Sequence, residues 1–217
     1  MLSIKTIKAL LFIALNMFAI TMFEIVAAPI KDETRNVILI IGDGMDDHQI
    51  SIARNYLHGA KGKLTLDMLS HRSAVQVLAT SDTNPSKSVY VADSANSATS
   101  IATGEISSRG RISTSAKTDE DLETIVEIAN RHHYKTGIVT TASITDATPA
   151  SFVAHISSRN CENPSMMVNA LYYDRVLVNC QKDLKSNRGL GSISEQIADS
   201  NIDIILGGGK KHFDIRI

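Results

Sequence analysis

Residues 36–41, Asn-Val-Ile-Leu-Ile-Ile, are an uninterrupted aliphatic run with none of the polar alternation of a half-solvated strand. Such a run predicts a strand covered on both faces, the kind found in parallel sheets sandwiched between helices. It ends at Gly42-Asp43-Gly44-Met45, where two glycines let the backbone turn sharply and leave a carboxylate at the carboxyl end of the strand. In open α/β sheets that edge is where ligands bind, which makes Asp43 a candidate metal ligand. The plainer reading of the tetrapeptide alone is an Asp-Gly turn.

The rest of the chain supports the same class. Helical spacing over 50–57 is followed by apolar anchors at Leu64, Leu66, Met68 and Leu69, and a short strand is predicted at 74–78. Asp119, Glu120 and Asp121 precede a helical pattern over 122–129, closed by His132 and His133, whose place at a helix C-terminus marks them as structural. A strand follows at 136–141, and 171–178 reads as an apolar helix or strand. A short helix at 193–197 leads to a buried strand at 202–206, ending in Gly207-Gly208-Gly209. Helix-then-strand order predicts an α/β fold with a central, mostly parallel sheet flanked by helices. The glycine cluster lacks P-loop spacing. Arg109 and Arg111, in the Ser/Gly-rich segment 105–118, read as members of a solvated loop and not as phosphate binders.

The chemistry concentrates at 90–99, Tyr-Val-Ala-Asp-Ser-Ala-Asn-Ser-Ala-Thr. The β-branched and aromatic residues Val89, Tyr90 and Val91 read as the end of a strand, and Gly104 suits the residue after a helix. Asp93 and Ser94 therefore sit at a helix N-terminus, where free backbone N–H groups and the helix dipole favour an anion. Taken alone, either residue is more simply an N-cap. The wider pattern, Val91-x-Asp93-Ser94-Ala95-x-Ser97-Ala98-Thr99, resembles the active-site signature of the alkaline phosphatases, with Asn96 where that family usually has a small residue. Gly42-Asp43-Gly44-Met45 resembles the end of the family's first strand, although Asp46 replaces its usual glycine. Asp146-Ala147-Thr148-Pro149-Ala150, then Val153-Ala154-His155 and Ser158-Arg159, is similar to a third family segment, and Gly207-Gly208-Gly209 to a fourth.

The resemblance implies phosphate monoester hydrolysis through a phosphoserine on Ser94, with Zn2+ and Mg2+ as cofactors. It implies that Asp43 bridges the two metals and that Ser94 is both nucleophile and metal ligand. Asp146 and Thr148 would serve the magnesium site, Arg159 would clamp the substrate phosphate, and the full-length family forms homodimers. It gives His155 no catalytic role, leaving it as helix packing, and sets Cys161 directly after the helix bearing Arg159. None of the seven histidines matches the family's zinc motifs, which lie beyond the glycine turn. The chain therefore reads as the N-terminal part of such a fold, incomplete at the C-terminus. It is an enzyme by resemblance, with a catalytically inactive exported fragment as the alternative.

The N-terminus points to export. Lys5 and Lys8 precede an apolar run over 9–23, and the small residues Ala27 and Ala28 follow. This is the layout of a secretory signal peptide over 1–27, or of an uncleaved anchor, ahead of an α/β domain over 28–217. A periplasmic or extracellular location follows, with no membrane association once the signal is removed. Cys161 and Cys180 would meet an oxidising compartment and close a ring of about 20 residues, worth roughly 3 kcal/mol; two free buried thiols are the other reading. A formal net charge of −1 leaves no nucleic-acid footprint. With no tryptophan and few aromatics, the core has to be aliphatic.

Overall fold

In the computed structural model, which describes residues 36–168, 170–171, 177–178 and 180–214, helices begin where short polar side chains can cap them. Helix α1, Asp47–His58, starts at Asp46, whose carboxylate accepts from the backbone N–H of His48 and Gln49, while Gln49 returns a bond to the Asp46 N–H. Such a capping box contributes about 1 kcal/mol. The aspartate that departs from the Gly-Asp-Gly-Met pattern thus has a local task. One 3₁₀ turn, Thr65–Met68, holds the next apolar anchors.

Two short strands, β1 (Ala79–Thr80) and β2 (Ser88–Val89), pair antiparallel and lead into helix α2, Ser94–Thr103. The predicted strand at 74–78 is irregular chain, and the ladder begins just after it. β2 ends at Val89, leaving Tyr90 exposed, because its ladder with β1 is only two residues long. Gly104 closes α2 in the left-handed conformation at φ 78°. Helix α3, Ile125–Arg131, takes Thr124 and Glu127 as its capping box and His132 as its C-cap.

Strand β3, Gly137–Ser143, then a short helix α4, Ala147–Ala150, open the second half of the chain. A two-residue antiparallel pair follows, β4 (Ala170–Leu171) with β5 (Leu177–Val178). Helix α5, Ile193–Asp199, is capped by Ser192 with Glu195 and leads to strand β6, Ile204–Gly208. β6 lies parallel to β3, pairing Gly137 with Ile204 and Val139 with Leu206, with an irregularity before Ser143 meets Gly208. The fold is α/β and open: helices accompany a parallel pair that other described strands do not extend. Consequently β6 is not buried, and Leu206 is 58% exposed.

The aliphatic run at 36–41 differs from its prediction in the same way. It carries no strand assignment, and Ile38 is 85% exposed. A strand is defined by its ladder partner, and no described residue supplies one to this run. The chain divides into two compact units, 1–41 and 42–217. The predicted signal peptide over 1–27 lies outside the described residues, as do 172–176 of the predicted 171–178 element. No described helix is long and apolar enough to cross a membrane.

The core is aliphatic and built from small side chains. Ala95 of α2 and Ala147 and Ala150 of α4 are fully buried, letting the two helices approach closely around Ile112, Ile156 and Ile193. Each of those isoleucines contributes about 1.5–3 kcal/mol on burial. Ile112 and Ile156 also exchange both backbone hydrogen bonds (3.0 and 2.9 Å), tying the 105–118 segment to the chain after α4. Arg111 is therefore not solvated: 7% exposed, it donates to Asp82, Asp119 and Thr114. Two carboxylates satisfy its guanidinium, which is what allows a charge to be buried there.

Candidate active site

The turn at 42–45, the start of α2 and the short helix α4 converge on the carboxylate of Asp43. Gly44, at φ 67°, lets the chain reverse there, and the Met45 N–H donates to the Gly42 carbonyl at 3.2 Å. The Ser94 hydroxyl donates to Asp43 Oδ1 at 2.8 Å, and the Thr148 hydroxyl donates to Asp43 Oδ2 at 2.9 Å. One carboxylate thereby receives hydroxyls from α2 and α4, elements remote from it in sequence.

Asp93 occupies the N-cap of α2, so Ser94 stands in its first turn beside the helix's unpaired N–H groups. The Asp93 carboxylate accepts from the backbone N–H of Asn96 at 3.0 Å and of Gly110 at 3.1 Å. Asn96, the departure from the family pattern, returns the capping bond through Oδ1 (2.8 Å) and donates from Nδ2 to the Leu78 carbonyl (3.1 Å). It is fully buried, and both polar ends of its side-chain amide have a partner.

Arg159 faces two carboxylates, Asp146 Oδ1 at 2.8 Å and Asp93 Oδ2 at 3.5 Å. Its backbone is fixed as well, since the Arg159 N–H donates to the Gly110 carbonyl at 2.7 Å. The planar guanidinium is thus aimed by two acidic groups flanking Ser94 and Thr148 in sequence. Asp146 also caps α4, accepting from the Ala147 N–H at 2.7 Å. All five predicted residues therefore sit in two linked clusters: Asp43, Ser94 and Thr148 around one carboxylate, Asp146 and Arg159 in an ion pair.

Two expectations need correction. Arg159 is on a turn and not on a helix, because α4 stops at Ala150 and the backbone at Ile156 is committed to Ile112. His155 is likewise outside any helix. Its ring is bonded to the Ser113 carbonyl (2.9 Å) and to Glu127 Oε1 (3.0 Å). Burial works against the His155 imidazolium, but the Glu127 carboxylate and the Ser113 carbonyl outweigh it and raise its pKa. Asp93, which sequence reasoning treated as a cap, is in addition a partner of Arg159; its place directly before Ser94 was the available signal.

The donor set consists of hard oxygens: the Asp43 and Asp146 carboxylates and the Ser94 and Thr148 hydroxyls. Such a set suits Mg2+ as part of a coordination shell. By itself it does not complete a zinc site, which takes three or more nitrogen, sulfur or carboxylate ligands. Among the described residues no three His, Cys, Asp or Glu side chains are grouped to hold a metal. Cys161 and Cys180 are joined in a disulfide, as expected.

Comparison with known proteins agrees with this geometry. The profile of the Alkaline phosphatase family matches residues 34–216. The chain is 42% identical over 179 residues to the streptomycin-6-phosphate phosphatase of Streptomyces griseus, covering 82% of this chain and 37% of that protein. It is 38% identical to the alkaline phosphatase of Escherichia coli K12, covering 82% of this chain and 36% of that protein. Among solved structures, a mutant of TAB5 alkaline phosphatase with Mg bound in its M3 site superposes with a TM-score of 0.57 at 27% identity, over 80% of this chain and 39% of that one. A cold-active enzyme from a psychrophilic Shewanella gives 0.55 at 30% identity, over 80% and 36%. The chain thus spans somewhat more than a third of the length of these relatives. With the family profile matched over 34–216 and relatives at 42% and 38% identity, the chain belongs to the alkaline phosphatase family.

Proposed function

We propose that this chain carries the nucleophile side of a site hydrolysing phosphate monoesters. Ser94 Oγ attacks phosphorus, the ester P–O bond breaks, and the alcohol leaves with a proton. Water then cleaves the Oγ–P bond, releasing inorganic phosphate and restoring Ser94. The observation that carries this reading is the bond from the Ser94 hydroxyl to Asp43, made at the N-terminus of α2 with Arg159 held nearby by Asp93 and Asp146. Asp43 orients the hydroxyl, and the N-terminal N–H groups of α2 favour the incoming anion. Arg159 neutralises phosphoryl oxygens with a fork that lysine cannot offer. Asp43, Ser94, Asp146 and Thr148 would be ligands to bound metal, which lowers the pKa of a coordinated hydroxyl and neutralises charge on the phosphoryl group. Zn2+ and Mg2+ are the cofactors proposed, with Mg2+ nearest to what these oxygens provide. Export to the periplasm or beyond, supported by the disulfide, and assembly as a homodimer belong to the same reading.

A second reading, an exported chain that binds phosphate without efficient turnover, is favoured by the lack of any three-residue metal cluster among the described residues. It predicts poor hydrolysis of p-nitrophenyl phosphate by the purified 217-residue chain even when zinc and magnesium are supplied; full turnover would contradict it. The two readings share a test at the nucleophile. Acid-quenched protein incubated with substrate should carry a phosphoryl group on the Ser94 peptide by mass spectrometry, and Ser94→Ala should lose both the adduct and any hydrolysis. Unchanged hydrolysis in that variant removes Ser94 from the mechanism.

A further inference from the structure

Behind the turn that bears Asp146 and Thr148 lies a buried polar cluster that the proposed chemistry does not use. Thr145 is fully buried, and its hydroxyl donates to Glu162 Oε2 at 2.5 Å. The same oxygen lies 3.1 Å from His212 Nε2, and His212 is only 4% exposed. On its other side, His212 Nδ1 meets Asn163 Nδ2 at 3.0 Å. The orientation of that amide is fixed, because Asn163 Oδ1 accepts from the backbone N–H and hydroxyl of Ser165. Asn163 is therefore the donor to Nδ1, and His212 donates from Nε2 to Glu162. Ser143 adds a hydroxyl contact to Thr145 at 2.7 Å.

Each member is anchored from a different direction. His212 follows β6 across the left-handed Gly209. Glu162 follows the disulfide-bonded Cys161, and its carbonyl accepts from Ser194 in the first turn of α5. Thr145 ends the turn after β3 and immediately precedes Asp146.

We propose that Glu162, held by His212, is a positioning residue that braces residues 143–148 and so sets Asp146 against Arg159 and Thr148 against Asp43. The inference rests on the reading of Ser94 and Arg159 as a phosphate site, and its test separates the two. A single oxygen accepts both bonds, so Glu162→Gln keeps the brace through its amide oxygen and Glu162→Leu removes it. In Glu162→Leu, amide hydrogen exchange over 143–148 should rise about tenfold while α1 stays protected as in the parent, and Glu162→Gln should restore the parent pattern. Inorganic phosphate, titrated by 31P NMR, should bind about tenfold more weakly to the Leu variant and normally to the Gln variant. Thr145→Val, which removes only the hydroxyl, should reproduce the local exchange effect and decides the matter if Glu162→Leu does not fold. Unchanged exchange over 143–148 in both Glu162→Leu and Thr145→Val, or a rise spread evenly through the chain, overturns the brace. If the parent chain neither binds phosphate nor hydrolyses esters, the phosphate-site reading fails, and the exchange measurement still decides the brace.

Discussion

At the scale of single residues, what a side chain does here is set by which partners reach it. Asp82 accepts from Arg111 Nε at 2.6 Å and from the Ser108 hydroxyl at 2.7 Å. The Arg111 hydrogen bond is the largest cause holding its pKa down to about 2, from an ordinary 3.8, against the opposing effect of burial. A depressed folded-state pKa gives stability that is fully present above the unfolded value and lost as pH falls through the folded one. The stability advantage of the parent over Asp82→Asn, followed by urea midpoints, should therefore be constant near neutrality and shrink between about pH 4 and about pH 2. An advantage that grows on acidification would contradict the assignment. Asp43 and Ser94 were legible in the sequence because short motifs fix both residues and their local turns. The pairing of Asp93 with Arg159 was not, because those residues are 66 positions apart and nothing in either motif reports the other. Arg111 was misread for the same reason: its partners Asp82 and Asp119 are outside its own segment.

Among the elements, helix starts were the most legible, because a cap is a local interaction. Asp93 and Ser192 each begin a helix where a short polar residue precedes the apolar spacing, whereas the pattern expected from 122 becomes a helix only at Ile125, because Thr124 and not the acidic run at 119–121 supplies the cap. Strands were less so. The runs at 36–41 and 74–78 have the composition of strands, but pairing depends on a partner that composition does not name. The turn after β6 packs closely against the end of β3. Gly209 has φ 93°, and a Cβ there would stand 2.0 Å from Ser143 Oγ and 3.3 Å from Ser143 Cα. Gly209→Ala should lower stability by more than about 1 kcal/mol, from left-handed strain plus the collision with β3. Chemical denaturation measures this directly; an unchanged midpoint would mean the turn can relax.

For the whole molecule, the disulfide is the strongest single constraint on the unfolded chain. Cys161 and Cys180, 19 positions apart, are both fully buried in the core cluster. Replacing both with serine should cost roughly 3 kcal/mol from loop entropy alone, and more from the buried hydroxyls, read as a fall in the unfolding midpoint. A variant as stable as the parent would show that the ring does not restrict the unfolded state. The α/β class was legible because helices and apolar strands alternate along the chain. The openness of the parallel pair was not, since it depends on how many strands lie beside β3 and β6.

The Asp43 carboxylate has a kinetic consequence. Its two hydroxyl partners lie 51 and 105 positions away along the chain. Neither link is rewarded until a long segment has been closed against its own entropy, whereas caps and turns form within their own neighbourhoods. On refolding, ellipticity should return before the nucleophile is oriented, so these remote closures set the pace at which a refolding chain becomes competent.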